Sequence, residues 1–286
     1  MSRVAYVNGQ YLPHGRAAVH IEDRGYQFAD GVYEVVAIAG GRLTDWDGHL
    51  RRLERSLAEL RITAPMGSGA LAIVCREVVR RNRVTAGMLY LQITRGVARR
   101  DHPFPRGVAP SLVVTARSID FAAVARRAEK GVGVITMPDI RWGRCDIKTV
   151  SLLPNILAKQ AARDEGAYEA WLVDDTGHVT EGSSTNAWIV DEQGRLVTRP
   201  AGHAILNGVT RQTLIALARR LGYEVLERPF TVAEAQAARE AFITSTTGFL
   251  LPVTEIDGRP VANGAPGSIS EALLAAYRAH IAEQSD

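Results

Sequence analysis

No stretch of the 286 residues is apolar for long enough to span a bilayer, and no apolar segment stands before a cleavage site at the amino terminus. Only two cysteines occur, Cys75 and Cys145, too few for a disulfide framework and suited to a reducing compartment, so a cytoplasmic protein without membrane contact is expected. Charge of one sign is also scarce in net terms. The 34 Lys and Arg stand against 31 Asp and Glu, leaving +3, so the arginines are spread among acids rather than gathered into a nucleic-acid face. Runs such as Arg80-Arg81-Asn82-Arg83 and Arg126-Arg127 read as solvated helix surface. There is no Gly-x-Ser-x-Gly elbow, no Walker loop, no dinucleotide fingerprint opening a βαβ unit and no metal-spaced pair among the seven histidines. These absences argue against esterase, nucleotide-binding and His-based metal chemistry. Internal repeats and low-complexity segments are absent too.

What is there reads as an α+β chain of two domains. Ala5-Tyr6-Val7, Asn8-Gly9 and Gln10-Tyr11-Leu12 form a hairpin signal. A strand over Gly31–Ala39 turns at Gly40-Gly41, and Asp45 or Asp47 is placed to cap a helix carrying Leu50, Leu53, Leu57 and Leu60 on one face. A helix over 70–81 and strands over 88–94 and 111–116 follow. The Ala/Arg-rich stretch after Arg117 is the best boundary. It divides a smaller N-terminal domain (1–118) from a larger C-terminal one (131–286) through a connection at 119–130. The second half opens with a strand at 133–136 and a helix with Pro154 in its first turn and Gly166 at its end. Short strands then run from Glu169 to Val197, followed by helices near 208–221 and 270–282 and strands near 223–226 and 241–246.

Lys148 stands out within the segment from Asp139 to Gln160. It follows apolar Ile147, lies outside any lysine-rich run, and has Arg141 and Arg144 just before it. A lysine becomes nucleophilic when its ammonium loses a proton, which desolvation and neighbouring positive charge both promote. By itself the residue would read as a surface lysine, but it has company. Thr180-Glu181-Gly182-Ser183-Ser184-Thr185-Asn186 sets a carboxylate among hydroxyls at a strand end. Leu206-Asn207-Gly208-Val209-Thr210-Arg211 is a glycine-permitted turn into a helix, whose exposed N–H groups and dipole suit an anion as well as an ordinary cap.

Together with Arg24-Gly25-Tyr26-Gln27-Phe28, Asp30-Gly31-Val32-Tyr33-Glu34 and Ile243-Thr244-Ser245-Thr246-Thr247, these segments resemble the fold-type IV pyridoxal-phosphate enzymes over nearly the whole chain. Within that family the pattern is most similar to the D-amino-acid transaminases. The resemblance implies pyridoxal 5'-phosphate held by Lys148, with Glu181 on its ring nitrogen and Leu206 against the ring. It also implies that Arg52, Gly208, Val209, Thr210, Ser245 and Thr246 surround the phosphate. Arg51 is adjacent, but the family spacing from His49 selects Arg52. In Arg95-Gly96-Val97-Ala98-Arg99-Arg100-Asp101-His102, Arg100 and His102 fall on the family's carboxylate trap, completed by Tyr33. Asp101 is placed to pair with Arg100 and blunt it.

The implied reaction moves the amino group of a D-amino acid such as D-alanine to a 2-oxo acid such as 2-oxoglutarate. The implied assembly is a homodimer whose Arg100 and His102 enter the neighbour's pocket, so that active sites are shared. A branched-chain L-transaminase would carry Glu-Gly-x-Arg after the tyrosine strand, where this chain has Val35-Val36-Ala37 behind Tyr33-Glu34. An aminodeoxychorismate lyase or (R)-amine transaminase shares Lys148 and Glu181 and differs at the trap. A pyridoxal-phosphate carrier without turnover is disfavoured, since the acid–base residues are all present.

Overall fold

The computed structural model describes residues 3–285 and divides into two compact units. The first holds the chain up to Asp120 together with Ile147–Ser151 and the tail from Ile281; the second holds Phe121–Asp146 and Leu152–His280.

In the first unit, β1 (Val4–Val7) and β2 (Gln10–Pro13) form the expected hairpin. Asn8 and Gly9 both have positive φ, 44° and 95°, as a two-residue turn matched to strand twist requires. A short helix α1 (Arg24–Phe28) leads to β3 (Gly31–Ala39) and β4 (Arg42–Leu43). Two longer helices, α2 (Trp46–Glu59) and α3 (Ser68–Asn82), precede β5 (Gly87–Thr94) and β6 (Ser111–Ser118). The six strands run β2-β1-β6-β5-β3-β4, all neighbours antiparallel. Inward residues such as Val36, Leu91 and Val114 pack against Leu53 and Leu57 of α2 and Val78 of α3.

The second unit begins with α4 (Phe121–Lys130) and β7 (Val132–Pro138), so the stretch read as a connection at 119–130 is largely helix, and it packs against a later strand of this unit. There follow α5 (Leu153–Asp164), β8 (Glu169–Val173), β9 (Val179–Gly182), β10 (Asn186–Val190) and β11 (Leu196–Thr198). Next come α6 (Val209–Arg220), β12 (Val225–Glu227), α7 (Val232–Ala237) and β13 (Glu240–Ser245). The last elements are β14 (Phe249–Ile256), β15 (Arg259–Pro260) and α8 (Ser268–Ser285). The mixed sheet runs β12-β11-β10-β13-β14-β7-β8-β9, with β15 paired to β14. Its core is aromatic. Trp188 stacks on Phe242 at 5.4 Å, and Trp171 meets Phe230 edge-on at 6.0 Å.

Asp45 occupies the N-cap of α2 in a left-handed conformation, yet its side chain does not cap. Its backbone N–H and its carboxylate are both engaged by the Gln284 side-chain amide, at 2.7 and 2.8 Å, so a tertiary partner outcompetes the local one. The capping box that does form, Thr231 with Glu234, starts α7.

Asn82, the last residue of α3, ties the helix to the start of β1: its side-chain amide accepts from the Val4 N–H at 2.9 Å and donates to the Val4 carbonyl at 2.8 Å. Asn82→Ala leaves those strand groups unmatched and lowers unfolding stability by about 1–3 kcal/mol, read from the denaturant midpoint.

Candidate active site

Lys148 is fixed through its backbone. Its carbonyl accepts from the Tyr33 N–H at 3.0 Å, Thr149 bridges Val32, and the Val150 N–H donates to the Gly31 carbonyl at 3.1 Å. This short antiparallel addition lies on β3, which pairs with β5 from Gly31 onward and with β4 only from Ile38. The Lys148 N–H meets the Ser56 hydroxyl oxygen at 3.3 Å, and the Nζ stands 4.3 Å from the centre of the Tyr33 ring. Tyr33 thus neighbours the lysine.

Behind this strand, His49, Arg52 and Ser56 form a buried polar stripe on α2, spaced by three and four residues. Glu34 receives Arg52 in a forked pair at 2.7 Å and the His49 ring at 2.8 Å. Burial alone would raise the Glu34 carboxyl. The charge and hydrogen bonds of Arg52, with His49 behind them, outweigh it and hold the group at about 2. Burial pushes the His49 ring below its ordinary value despite Glu34.

In the second unit Glu181, near the end of β9, accepts from Arg141 Nη1 at 2.5 Å, from Asn186 Nδ2 at 3.0 Å and from the Leu206 N–H at 3.1 Å. Arg141 is buried and forks onto Asp139 at 2.7 and 2.9 Å. The same guanidinium bonds the Ala204 carbonyl at 3.0 Å. Arg144 pairs with Asp146 at 2.9 Å. The two arginines read as a small cationic cluster beside Lys148 are therefore each matched to carboxylates. Burial also raises both thiols, Cys75 to about 12 and Cys145 to about 11, so neither supplies a thiolate near neutrality.

Asn186 is the hub that sequence reasoning missed. Beyond Glu181, its amide donates to the Leu206 carbonyl at 2.9 Å, and a Cβ on Gly208 would come within 2.2 Å of its Oδ1. It starts β10 opposite Thr244, one residue from the end of β13 where Ser245 and Thr246 turn. Ser245 Oγ accepts from the Gly248 N–H at 3.1 Å. Glu181, Leu206, Gly208 and the start of α6 at Val209 and Thr210 are thereby gathered round one amide, with the β13 end alongside. Gly208 caps α6 without a side chain, which leaves its first-turn N–H groups to an outside acceptor.

Arg100 and His102 are exposed and share one support: the Arg100 guanidinium lies 4.5 Å from the centre of the Phe28 ring, and the His102 ring is 5.6 Å from it. Asp101 does not pair with Arg100; its carboxylate accepts from the His102 N–H at 2.8 Å. Among the described residues neither side chain makes a hydrogen bond or ring contact with Tyr33, whose ring meets Tyr90 and the Lys148 amine.

A family model described as amino-transferase class IV matches residues 31–256. The D-alanine aminotransferase of Bacillus licheniformis is 41% identical over 278 residues, covering 97% of each chain. That of Staphylococcus aureus (strain MSSA476) is 36% identical over 282 residues, covering 98% of each. Among solved structures, a T.th. branched-chain amino acid aminotransferase with pyridoxamine 5'-phosphate superposes with a TM-score of 0.90 at 25% identity, covering 99% of this chain and 95% of that one. The chain belongs to the class IV aminotransferase family. It is a pyridoxal-phosphate-dependent aminotransferase with the α+β fold of the fold-type IV enzymes. The donors at the start of α6 fit a phosphate dianion, and the carboxylate of Glu181 fits a protonated ring nitrogen.

Two measurements follow from this geometry. Both Glu34 and His49 bind protons less readily folded than unfolded, so acid lowers stability. The His49 contribution is present above its ordinary 6.5 and is lost as pH falls through its lower folded value; that of Glu34 is present above 4.5 and is lost as pH falls toward about 2. Glu34→Gln should cost about 3–5 kcal/mol at neutral pH by stranding Arg52, with the gap to wild type narrowing below pH 4.5 in denaturation curves. Asn186→Ala should weaken pyridoxal phosphate binding on the order of tenfold or more in an absorbance titration, since a bond to a charged group is worth about 1.5–3 kcal/mol.

Proposed function

We propose that this aminotransferase acts on D-alanine and related D-amino acids, passing the amino group to a 2-oxo acid such as 2-oxoglutarate. The observation that carries the reading is the seating of Arg100 and His102 side by side on Phe28, which presents a guanidinium and an imidazole to a carboxylate. The D-alanine aminotransferases that match 97–98% of the chain support it. The likeness to branched-chain enzymes lies in the fold, and the Glu-Gly-x-Arg expected of them is replaced by Val35-Val36-Ala37 after Tyr33-Glu34.

In this reading Lys148 carries the cofactor and then moves the substrate's Cα proton with its Nζ. Pyridoxal phosphate, when bound, supplies the electron sink for the electrons left on Cα. Glu181 holds the proton on the ring nitrogen, and Leu206 packs against the ring. Gly208, Val209, Thr210, Ser245, Thr246 and Arg52 hold the phosphate. Glu34 and His49 fix the direction of the Arg52 side chain. Arg100, His102 and Tyr33 hold the substrate carboxylate, which fixes the hand of the substrate by turning Cα–H toward Lys148. In this reading the active enzyme is a homodimer in which each subunit lends its Arg100 and His102 to the other. Its two thiols suit a cytoplasmic setting.

Stereochemistry decides the matter. D-Alanine with 2-oxoglutarate should turn over, and L-leucine or a simple (R)-amine should be poor. Arg100→Ala should lower kcat/KM for D-alanine about 10- to 150-fold, the effect of a charge-assisted contact worth roughly 1.5–3 kcal/mol. Preference for L-leucine, or unchanged D-alanine kinetics in Arg100→Ala, overturns the assignment.

A further inference from the structure

In the motif Arg24-Gly25-Tyr26-Gln27-Phe28 the ring of Phe28 supports Arg100 and His102. Its arginine is 3% exposed, and all three guanidinium nitrogens are engaged. Nε donates to Asp30 at 2.8 Å, Nη1 to the Asp101 carbonyl at 2.6 Å and Nη2 to the His102 carbonyl at 3.3 Å. The guanidinium also lies 4.8 Å from the centre of the Phe28 ring, the ring that supports Arg100 and His102.

We propose that Arg24 is the positioning residue of the carboxylate trap: it grips the backbone at Asp101 and His102, while Phe28, one helical turn further on, supports the two side chains that bind substrate. The inference rests on the trap reading given above. The segment holding Arg100 and His102 is exposed and lies outside helix and strand, so its own packing cannot fix it. Fixing comes from α1. Asp23 caps that helix by accepting from the Gly25 N–H at 2.8 Å, and it also accepts from Thr94 Oγ1 at 2.9 Å. At the other end Ala29 adopts a left-handed conformation, φ 55°, and turns the chain so that Asp30 faces back to Arg24.

Asp30 is held in turn by Arg95, which forks onto it at 2.7 and 2.9 Å and bonds the Leu60 and Arg61 carbonyls at 2.8 and 3.0 Å. One carboxylate thus joins Arg24 to the end of β5 and the end of α2. The grip needs a planar fork. A lysine could pair with Asp30 from its single nitrogen, but it could not reach that carboxylate and two successive carbonyls in the same geometry.

Arg24→Lys tests this. The KM for D-alanine and for 2-oxoglutarate should rise about tenfold with kcat changed by less than about twofold, the pattern of lost substrate binding. The Ki of propionate, a carboxylate with no amino group, should rise by the same factor. Cofactor absorbance and melting temperature should match wild type. Phe28→Leu, which removes the support and leaves the Asp30 ion cluster intact, should give the same split and serves if Arg24→Lys does not fold. A loss of cofactor and thermal stability in step with KM would show a general structural role and overturn the proposal. So would an unchanged propionate Ki in both variants while Arg100→Ala raises it. If Arg100→Ala also leaves the propionate Ki unchanged, the trap reading fails and the inference falls with it.

Discussion

A carboxylate taken out of water needs a partner, and three largely buried carboxylates in this chain that join its functional segments have each found an arginine. Glu34 joins β3 to α2 through Arg52, Asp30 joins α1 to β5 through Arg24 and Arg95, and Glu181 joins β9 to the residues before α6 through Arg141. Such pairs contribute little net stability, because desolvation offsets much of the attraction. Their contribution is geometric. The guanidinium is planar and rigid, so a forked pair fixes distance and orientation together. Removing either partner strands the other, which makes the arrangement all-or-none in a way that apolar packing is not.

The amide of Asn186 extends the same logic with a neutral group. It can donate to Glu181 and to the Leu206 carbonyl at once, and the absence of a Cβ at Gly208 leaves room for it. Glycine is used here for proximity rather than for an unusual φ. The start of α6 can then lie close to the strand that carries Asn186.

Elements specified by their own residues were legible in the sequence. The Asn8-Gly9 turn, the β3 span, the leucines of α2 and the proline-led start of α5 depend on local sterics and periodicity, and they appear where expected. Elements specified by partners were not. His49, Arg52 and Ser56 have the spacing of a solvated helix face and become a buried one only because Glu34 and Lys148 lie opposite. Asn186 looks like any polar residue opening a strand. Five-residue α1 is too short to show a period, and Asp45 lost its cap to Gln284, 239 residues away in sequence. Lys148 and Glu181 were visible as family motifs, whereas Arg141 carried no signal that it would be committed to Asp139 and Glu181.

The short ladder formed by residues 148–150 on β3 has a consequence for solubility. Near its amino end β3 has β5 on one side only, and an uncovered strand edge there would offer unpaired N–H and C=O groups to any other extended chain. The lysine segment covers that edge with its own main chain. Because the cover is made of backbone, it does not depend on which side chain occupies position 148, and an inactive variant should remain protected from edge-to-edge association. Damage to the turns that bring this segment to β3 would do more than misplace an amine. It would open a template for aggregation.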